Sequence, residues 1–202
     1  MNNLENENRI SILDNLKKFF YQDIRNNWLS LITPQWDDIV LGGRILGAGA
    51  SAPDLIPFNG SNIYVYGFAG LATSEQLFGQ PEILHSYKQE TNIYVHVHWT
   101  PTDNNAGNVK WFLEYTWANV DTVFPAATLT SIIDPSSGIA WTHQLAEFPV
   151  ISGAGKNIGS MFNFRLYRVP GGDDTYQSDA ALLSIGIHYE INTFGSRQMF
   201  SK

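Results

Sequence analysis

Between residues 93 and 191 the chain repeatedly alternates apolar with polar side chains, and this period of two constrains its fold more than any other feature. V-K-W-F-L-E-Y-T-W at 109–117 places Val109, Trp111, Leu113, Tyr115 and Trp117 on one side, with Lys110, Glu114 and Thr116 opposite. L-S-I-G-I-H-Y-E-I at 183–191 likewise sets Leu183, Ile185, Ile187, Tyr189 and Ile191 against Ser184, His188 and Glu190. Successive side chains of a strand point to opposite faces, so each run reads as a strand with one buried face. Runs at 63–68, 93–99, 127–133 and 162–169 read the same way. Turn-forming sequences bound them: D-N-N-A-G-N at 103–108, D-P-S-S-G at 134–138, S-G-A-G at 152–155 and P-G-G-D-D at 170–174. Roughly seven or eight such strands predict antiparallel sheets packed face to face. The expected fold class is mainly β, a jelly-roll-like β-sandwich over residues 61–202.

The period changes near the start. Ile10, Leu13, Lys17, Phe20, Ile24 and Trp28 recur at helical spacing, flanked by Ile12, Leu16, Phe19 and Leu29, and Pro34 ends the pattern. The spacing predicts an amphipathic helix over 9–32 within an N-terminal assembly segment, 1–34. Its apolar stripe is wide for a solvated helix. Leu13, Leu16, Phe20, Ile24 and Trp28 are therefore expected to dock, on the domain's own core, a sister subunit or another protein. Residues 35–60, with G-A-G-A-S-A-P-D at 47–54, read as a Gly/Pro-rich connecting segment.

Charged residues make up 15% of the chain, against about 25% in an ordinary globular domain. The chain also carries 6 Trp, 9 Tyr and 12 Phe. Few charges and many aromatics suit a surface partly covered by other chains, so a homo-oligomer is expected. A net charge of −7 argues against nucleic acid or an anionic membrane as partner. There is no cysteine, which excludes thiol nucleophiles, zinc knuckles and disulfides. The first residues lack the pattern of a signal peptide, and no run approaches the ~18 apolar residues of a spanning helix.

Motifs of catalysis are missing. No G-x-S-x-G elbow accompanies the serines. G-G-R-I-L-G-A-G at 42–49 lacks the G-K-[ST] of a phosphate loop. Asp173 and Asp174 offer calcium-type oxygens, but a solvated turn accounts for them more simply. Glu82, Glu90 and Asp179 have no partner that spacing identifies. A non-catalytic protein without a cofactor is expected.

The one cluster with chemical promise lies in I-Y-V-H-V-H-W-T-P-T at 93–102. His96 and His98 share a strand face opposite Ile93, Val95, Val97 and Trp99. His188, Glu190 and Glu114 also fall on polar faces, and neighbouring strands would gather them into a set suited to Zn, Mn, Fe or Ni. H-x-H is similar to the first metal-binding element of the cupins. The cupin glutamate does not follow on time after His98, and the P-x-G element before His188 is missing. Two donors fall short of the three or four protein ligands of a stable site. His96, His98 and His188 are therefore expected on a packed or subunit-facing β-surface with no metal, a cupin-like metal protein being the rival reading.

The order of features carries a further likeness. W-D-D-I-V at 36–40 is followed by H-S-Y-K-Q-E-T-N-I-Y-V-H-V-H-W-T-P at 85–101, V-K-W-F-L-E-Y-T-W-A at 109–118 and F-R-L-Y-R at 164–168. The chain then closes with D-A-A-L-L-S-I-G-I-H-Y-E-I-N-T-F-G-S-R-Q at 179–198. Over roughly residues 80–200 this resembles a group of tailed-bacteriophage structural proteins with an H-x-H-W strand and a closing H-Y-x-x-(D/N)-T-x-G-S segment. The resemblance implies a β-sandwich component of the virion, on capsid, collar or tail, assembled as a homo-oligomer (a trimer first) with other virion proteins. It carries over no catalytic residue, and Asn192 stands where Asp is expected. The abundant Trp and Tyr keep open a second role, a virion module that binds a host-surface glycan or receptor.

Overall fold

The structure is a computed structural model that describes residues 16–18, 21–22, 34–71 and 74–196. The chain divides into two compact units, Met1–Gln35 and Trp36–Lys202. In the first, residues 16–18 and 21–22 are helical, inside the expected helix, and Leu16 is exposed. Leu13, Phe20, Ile24 and Trp28 lie outside the described residues.

The second unit is a mainly β, antiparallel, jelly-roll-like sandwich. Its strands are β1 (Gln35–Gly42), β2 (Gly47–Ala48), β3 (Asp54–Pro57), β4 (Tyr64–Phe68), β5 (Glu75–Gly79), β6 (Ile93–Pro101), β7 (Asn108–Ala118), β8 (Thr128–Pro135), β9 (Gln144–Glu147), β10 (Met161–Arg168) and β11 (Ala180–Ile191). One sheet runs β3-β4-β11-β6-β9, with β1 also paired to β11; the other runs β2-β5-β10-β7-β8. Among the described strands, only β3–β4 and β7–β8 are both consecutive in sequence and adjacent in a sheet. The chain otherwise crosses between layers or past neighbours, so most pairings are long-range.

The alternation read from sequence is the alternation of burial. Ile93, Val95, Val97 and Trp99 of β6 face Val109, Trp111 and Leu113 of β7 across the core, with Phe162 and Leu166 of β10 and Ile185, Ile187 and Tyr189 of β11 around them, all buried. Each such side chain contributes roughly 1.5–3 kcal/mol by leaving water. Trp111 meets Phe68 edge-on at 5.1 Å and Trp99 at 6.3 Å. The polar edges of two core tryptophans are satisfied: Trp99 Nε1 donates to Asp134 Oδ2 at 2.7 Å, and Trp117 Nε1 to Ser160 Oγ at 2.8 Å.

Strand assignments depart from the sequence reading at β5 and β9, which it did not predict, and in residues 35–60 and β11. Residues 35–60, expected as a connecting segment, contribute β1, β2 and β3, so this stretch is part of the sandwich. Its glycines and prolines sit at strand ends and in 3-10 turns at Gly43–Ile45 and Phe58–Gly60. In β11, Leu182 pairs with Trp99 and Ser184 with His98, leaving Leu183 as an inserted residue. This bulge makes Leu182 the buried leucine in place of Leu183, which strict alternation had assigned to the core.

Arg168 falls at the inward parity of β10, in line with Phe162, Phe164 and Leu166. Its guanidinium is buried and fully used. Nε and Nη2 donate to Asp174 Oδ2 and Oδ1, both at 2.8 Å, and Nη1 donates to the carbonyls of Phe68 (2.7 Å) and Ser178 (2.9 Å). Nη2 also reaches the Tyr176 carbonyl, and Lys110 N donates to Asp174 Oδ2 at 2.9 Å. The P-G-G-D-D turn is thereby fastened under the sheet.

Candidate functional site

Backbone pairing across three strands builds a polar patch on the outer face of the β3-β4-β11-β6-β9 sheet. In β6, His96 lies opposite Gly186 of β11 on one side and Glu147 of β9 on the other. Gly186 has no side chain, and the space above it is used by its neighbours. A Cβ there would collide with the His96 ring and come within 2.9 Å of Asp38 Oδ2. Asp38 arrives from β1, which pairs with β11. The carboxylate thus reaches over a glycine to meet an imidazole one strand further on.

The resulting geometry is tight. Asp38 Oδ2 lies 3.6 Å from His96 Nε2 and 3.5 Å from His188 Nε2. The donor atoms of Asp38, His96 and His188 all fall within 4.8 Å of one another. The His96 and His188 rings are 4.3 Å apart at an angle of 40°. His96 is 1% exposed, His188 45% and Asp38 24% by side chain, so the group is closed at one end and open at the other. Among the described residues, His96 Nε2 and Asp38 Oδ1 have no hydrogen-bond partner. A buried polar group without a partner costs roughly 1–3 kcal/mol, so two such atoms in one spot call for an explanation. Burial pushes the His96 pKa below its ordinary value, with Asp38 opposing the fall and His188 adding to it.

His98 has a different partner. Its Nδ1 is 2.7 Å from His143 Nε2, one ring donating to the other, with centroids 4.9 Å apart. Burial and then His143 push its pKa down. Four of the five histidines thus form a row, 188–96–98–143. The two members of the H-x-H pair face different neighbours, His96 toward Asp38 and His188, His98 toward His143. The carboxylates expected to join them are engaged elsewhere: Glu190 pairs with Lys88, and Glu114 pairs with Arg165 at 2.8 Å on the opposite sheet. Asp38 was missed, although W-D-D-I-V carries it at alternating parity with Trp36. Asp173 bonds Lys110 at 2.8 Å, and Asp174 is consumed by Arg168, so neither offers a free calcium ligand.

Beside the histidines, Trp36, Tyr94, Glu147 and His188 line an open depression of about 400 Å³. Trp36 stands edge-on to Tyr94 at 5.4 Å and is half exposed.

A second surface lies at the far edge of the other sheet. Among the described residues, β8 pairs with β7 along one side only. Residues 122–133 of this hairpin, T-V-F-P-A-A-T-L-T-S-I-I, contain no charge. Val123, Phe124, Leu129 and Ile133 are exposed, Val123 at 92%. Isolated sheet edges are usually protected by charge, proline or a bulge, and in β8 Asp134 and Pro135 stand only at its far end, beyond Leu129 and Ile133.

No protein-family model matches the chain, and no curated protein matches it. Solved structures similar to it include a CBM35 from Cellvibrio japonicus Abf62, at 11% identity and a TM-score of 0.43, covering 82% of this chain and 100% of that one. Another is the CBM36-1 domain of a multidomain xylanase from the hindgut metagenome of Trinervitermes trinervoides, at 10% identity and a TM-score of 0.39, covering 75% and 96%. The infectious bursal disease virus Gx strain structure is similar at 12% identity and a TM-score of 0.35, covering 79% of this chain and 32% of that one. The two-layer sandwich itself rests on this chain's own strand pairings.

Proposed function

We propose that this chain is a non-catalytic structural component of a bacteriophage virion that associates with copies of itself through its β-sandwich. The observation that carries the reading is the pair of exposed apolar side chains Leu129 and Ile133 on β8, a strand at the edge of its sheet that pairs, among the described residues, with β7 alone. Such an edge accepts another strand by main-chain hydrogen bonding, and alternate apolar side chains give the contact its register. The resemblance of residues 80–200 to tailed-phage structural proteins supports the virion as the setting. The N-terminal segment is the proposed dock onto other virion proteins.

The test is sedimentation of the full-length chain beside a Leu129→Lys/Ile133→Lys variant. Wild type is expected as a closed oligomer and the variant as a folded, smaller species. A wild-type monomer at tens of micromolar would refute assembly through this edge. Mass spectrometry of gradient-purified particles tests the setting, since a virion component must co-purify in fixed stoichiometry.

A second reading has its own observation. The exposed Trp36 beside Tyr94, flanking the depression with Glu147 and His188, is suited to stacking a sugar ring, with polar groups at its rim. Glycan-array binding lost in Trp36→Ala would favour a receptor-binding module.

A further inference from the structure

The geometry points to a divalent transition-metal site, of zinc type, formed by Asp38 Oδ2, His96 Nε2 and His188 Nε2. This inference is independent of how the chain assembles. Zinc held by imidazole and carboxylate has bonds of about 2.0–2.2 Å in a tetrahedron, which sets neighbouring donor atoms roughly 3.3 Å apart. The carboxylate oxygen here stands 3.5 and 3.6 Å from the two imidazole nitrogens, and all three donors lie within 4.8 Å of one another, so an ion would draw them together by rotation of the partly exposed His188 and Asp38. Two nitrogens and an oxygen are the donors that zinc, cobalt and nickel prefer, and they exclude calcium, which takes six or more oxygens.

A second, independent observation supports a ligand at this point. His96 is 1% exposed, and among the described residues its Nε2, facing Asp38 Oδ2 at 3.6 Å, has no hydrogen-bond partner. The buried Asp38 Oδ1 is also unpartnered. A cation between the three side chains would give the buried Nε2 its partner. Gly186 fits the same purpose, because any side chain there would occupy the place of the His96 ring. The fourth coordination position opens on the side of the exposed His188, beside the depression lined by Trp36 and Tyr94. The metal would clip β1 to β11 and β6, three strands whose ligands are 58 and 92 residues apart in the chain.

The experiment uses the untagged full-length chain, stripped with chelator and dialysed. Zn²⁺ alone is titrated by competition against a chromophoric chelator, with Co²⁺ as spectroscopic probe and thermal unfolding as a separate readout. Expected are one ion per chain, an intense visible Co²⁺ band of low-coordinate geometry, and a Tm rise of roughly 5–10 °C at a hundredfold excess over Kd. His188→Ala and Asp38→Asn alter partly exposed ligands, so both are expected to fold, and each is expected to weaken zinc binding at least about 100-fold. His98→Ala is expected to bind within about threefold of wild type. No stoichiometric zinc at tens of micromolar would overturn the site. Binding that survives His188→Ala and Asp38→Asn, or that falls equally in His98→Ala, would also overturn it.

Discussion

Arg168→Met should be among the most damaging single changes in the sandwich, and the structure gives its size. The guanidinium and the Asp174 carboxylate are both fully buried and joined by two parallel bonds of 2.8 Å. Removing the cation leaves Asp174 charged inside the domain with Lys110 N as its remaining backbone donor, and leaves the carbonyls of Phe68, Ser178 and Tyr176 without theirs. Breaking one partner of a buried pair costs about 3–5 kcal/mol, because the surviving charge is uncompensated. For a domain of this size each kcal/mol lowers Tm by roughly 2–4 °C, so a loss of ~4 kcal/mol corresponds to roughly 8–16 °C. Urea unfolding followed by tryptophan fluorescence reads this as a fall in midpoint at unchanged m. An Arg168→Met/Asp174→Leu variant removes the stranded charge, so its loss should fall short of the two single losses combined by more than about 1 kcal/mol. A loss below about 1 kcal/mol in Arg168→Met, or strict additivity in the cycle, would refute the account of this pair as a buried, mutually dependent hub.

Three further outcomes follow from single contacts. Gly186→Ala places a methyl group against the His96 ring, so it should destabilise by ~1–3 kcal/mol and abolish zinc binding, read by urea midpoint and metal titration. Asp103 is raised by its partial burial, but hydrogen bonds from Ser178, Asn105 and Tyr176 outweigh this and hold its pKa below the ordinary carboxylate value. Its contribution to stability is therefore complete above the ordinary carboxylate range and lost as pH falls through the lowered value, so Asp103→Asn and wild-type midpoints should converge in acid and diverge toward neutrality. Trp117→Phe removes the donor to Ser160 Oγ in the core and should cost about 1–2 kcal/mol, measured by the same midpoint; an unchanged midpoint would show the bond to be dispensable.

Side-chain alternation is a local property of an extended backbone, so sequence alone determined which faces of β6, β7, β10 and β11 are apolar. From those faces followed the sandwich, its principal strands and the shared face of His96 and His98. Strand pairing is another matter. Its hydrogen bonds join backbone groups that every residue carries, so the sequence holds little record of which strand lies beside which. Only the fold placed β6 beside β11, bringing His188 to His96, and put β7 in the other sheet, taking Glu114 away. Only the fold showed that β1, within a stretch rich in glycine and proline, lays Asp38 across Gly186 against His96. The bulge at Leu183 was equally hidden, because inserting one residue shifts parity without altering composition. Arg168 lies between these cases: its inward parity is legible in F-N-F-R-L-Y-R, but its carboxylate partner is chosen by the turn that folds Asp174 back beneath it.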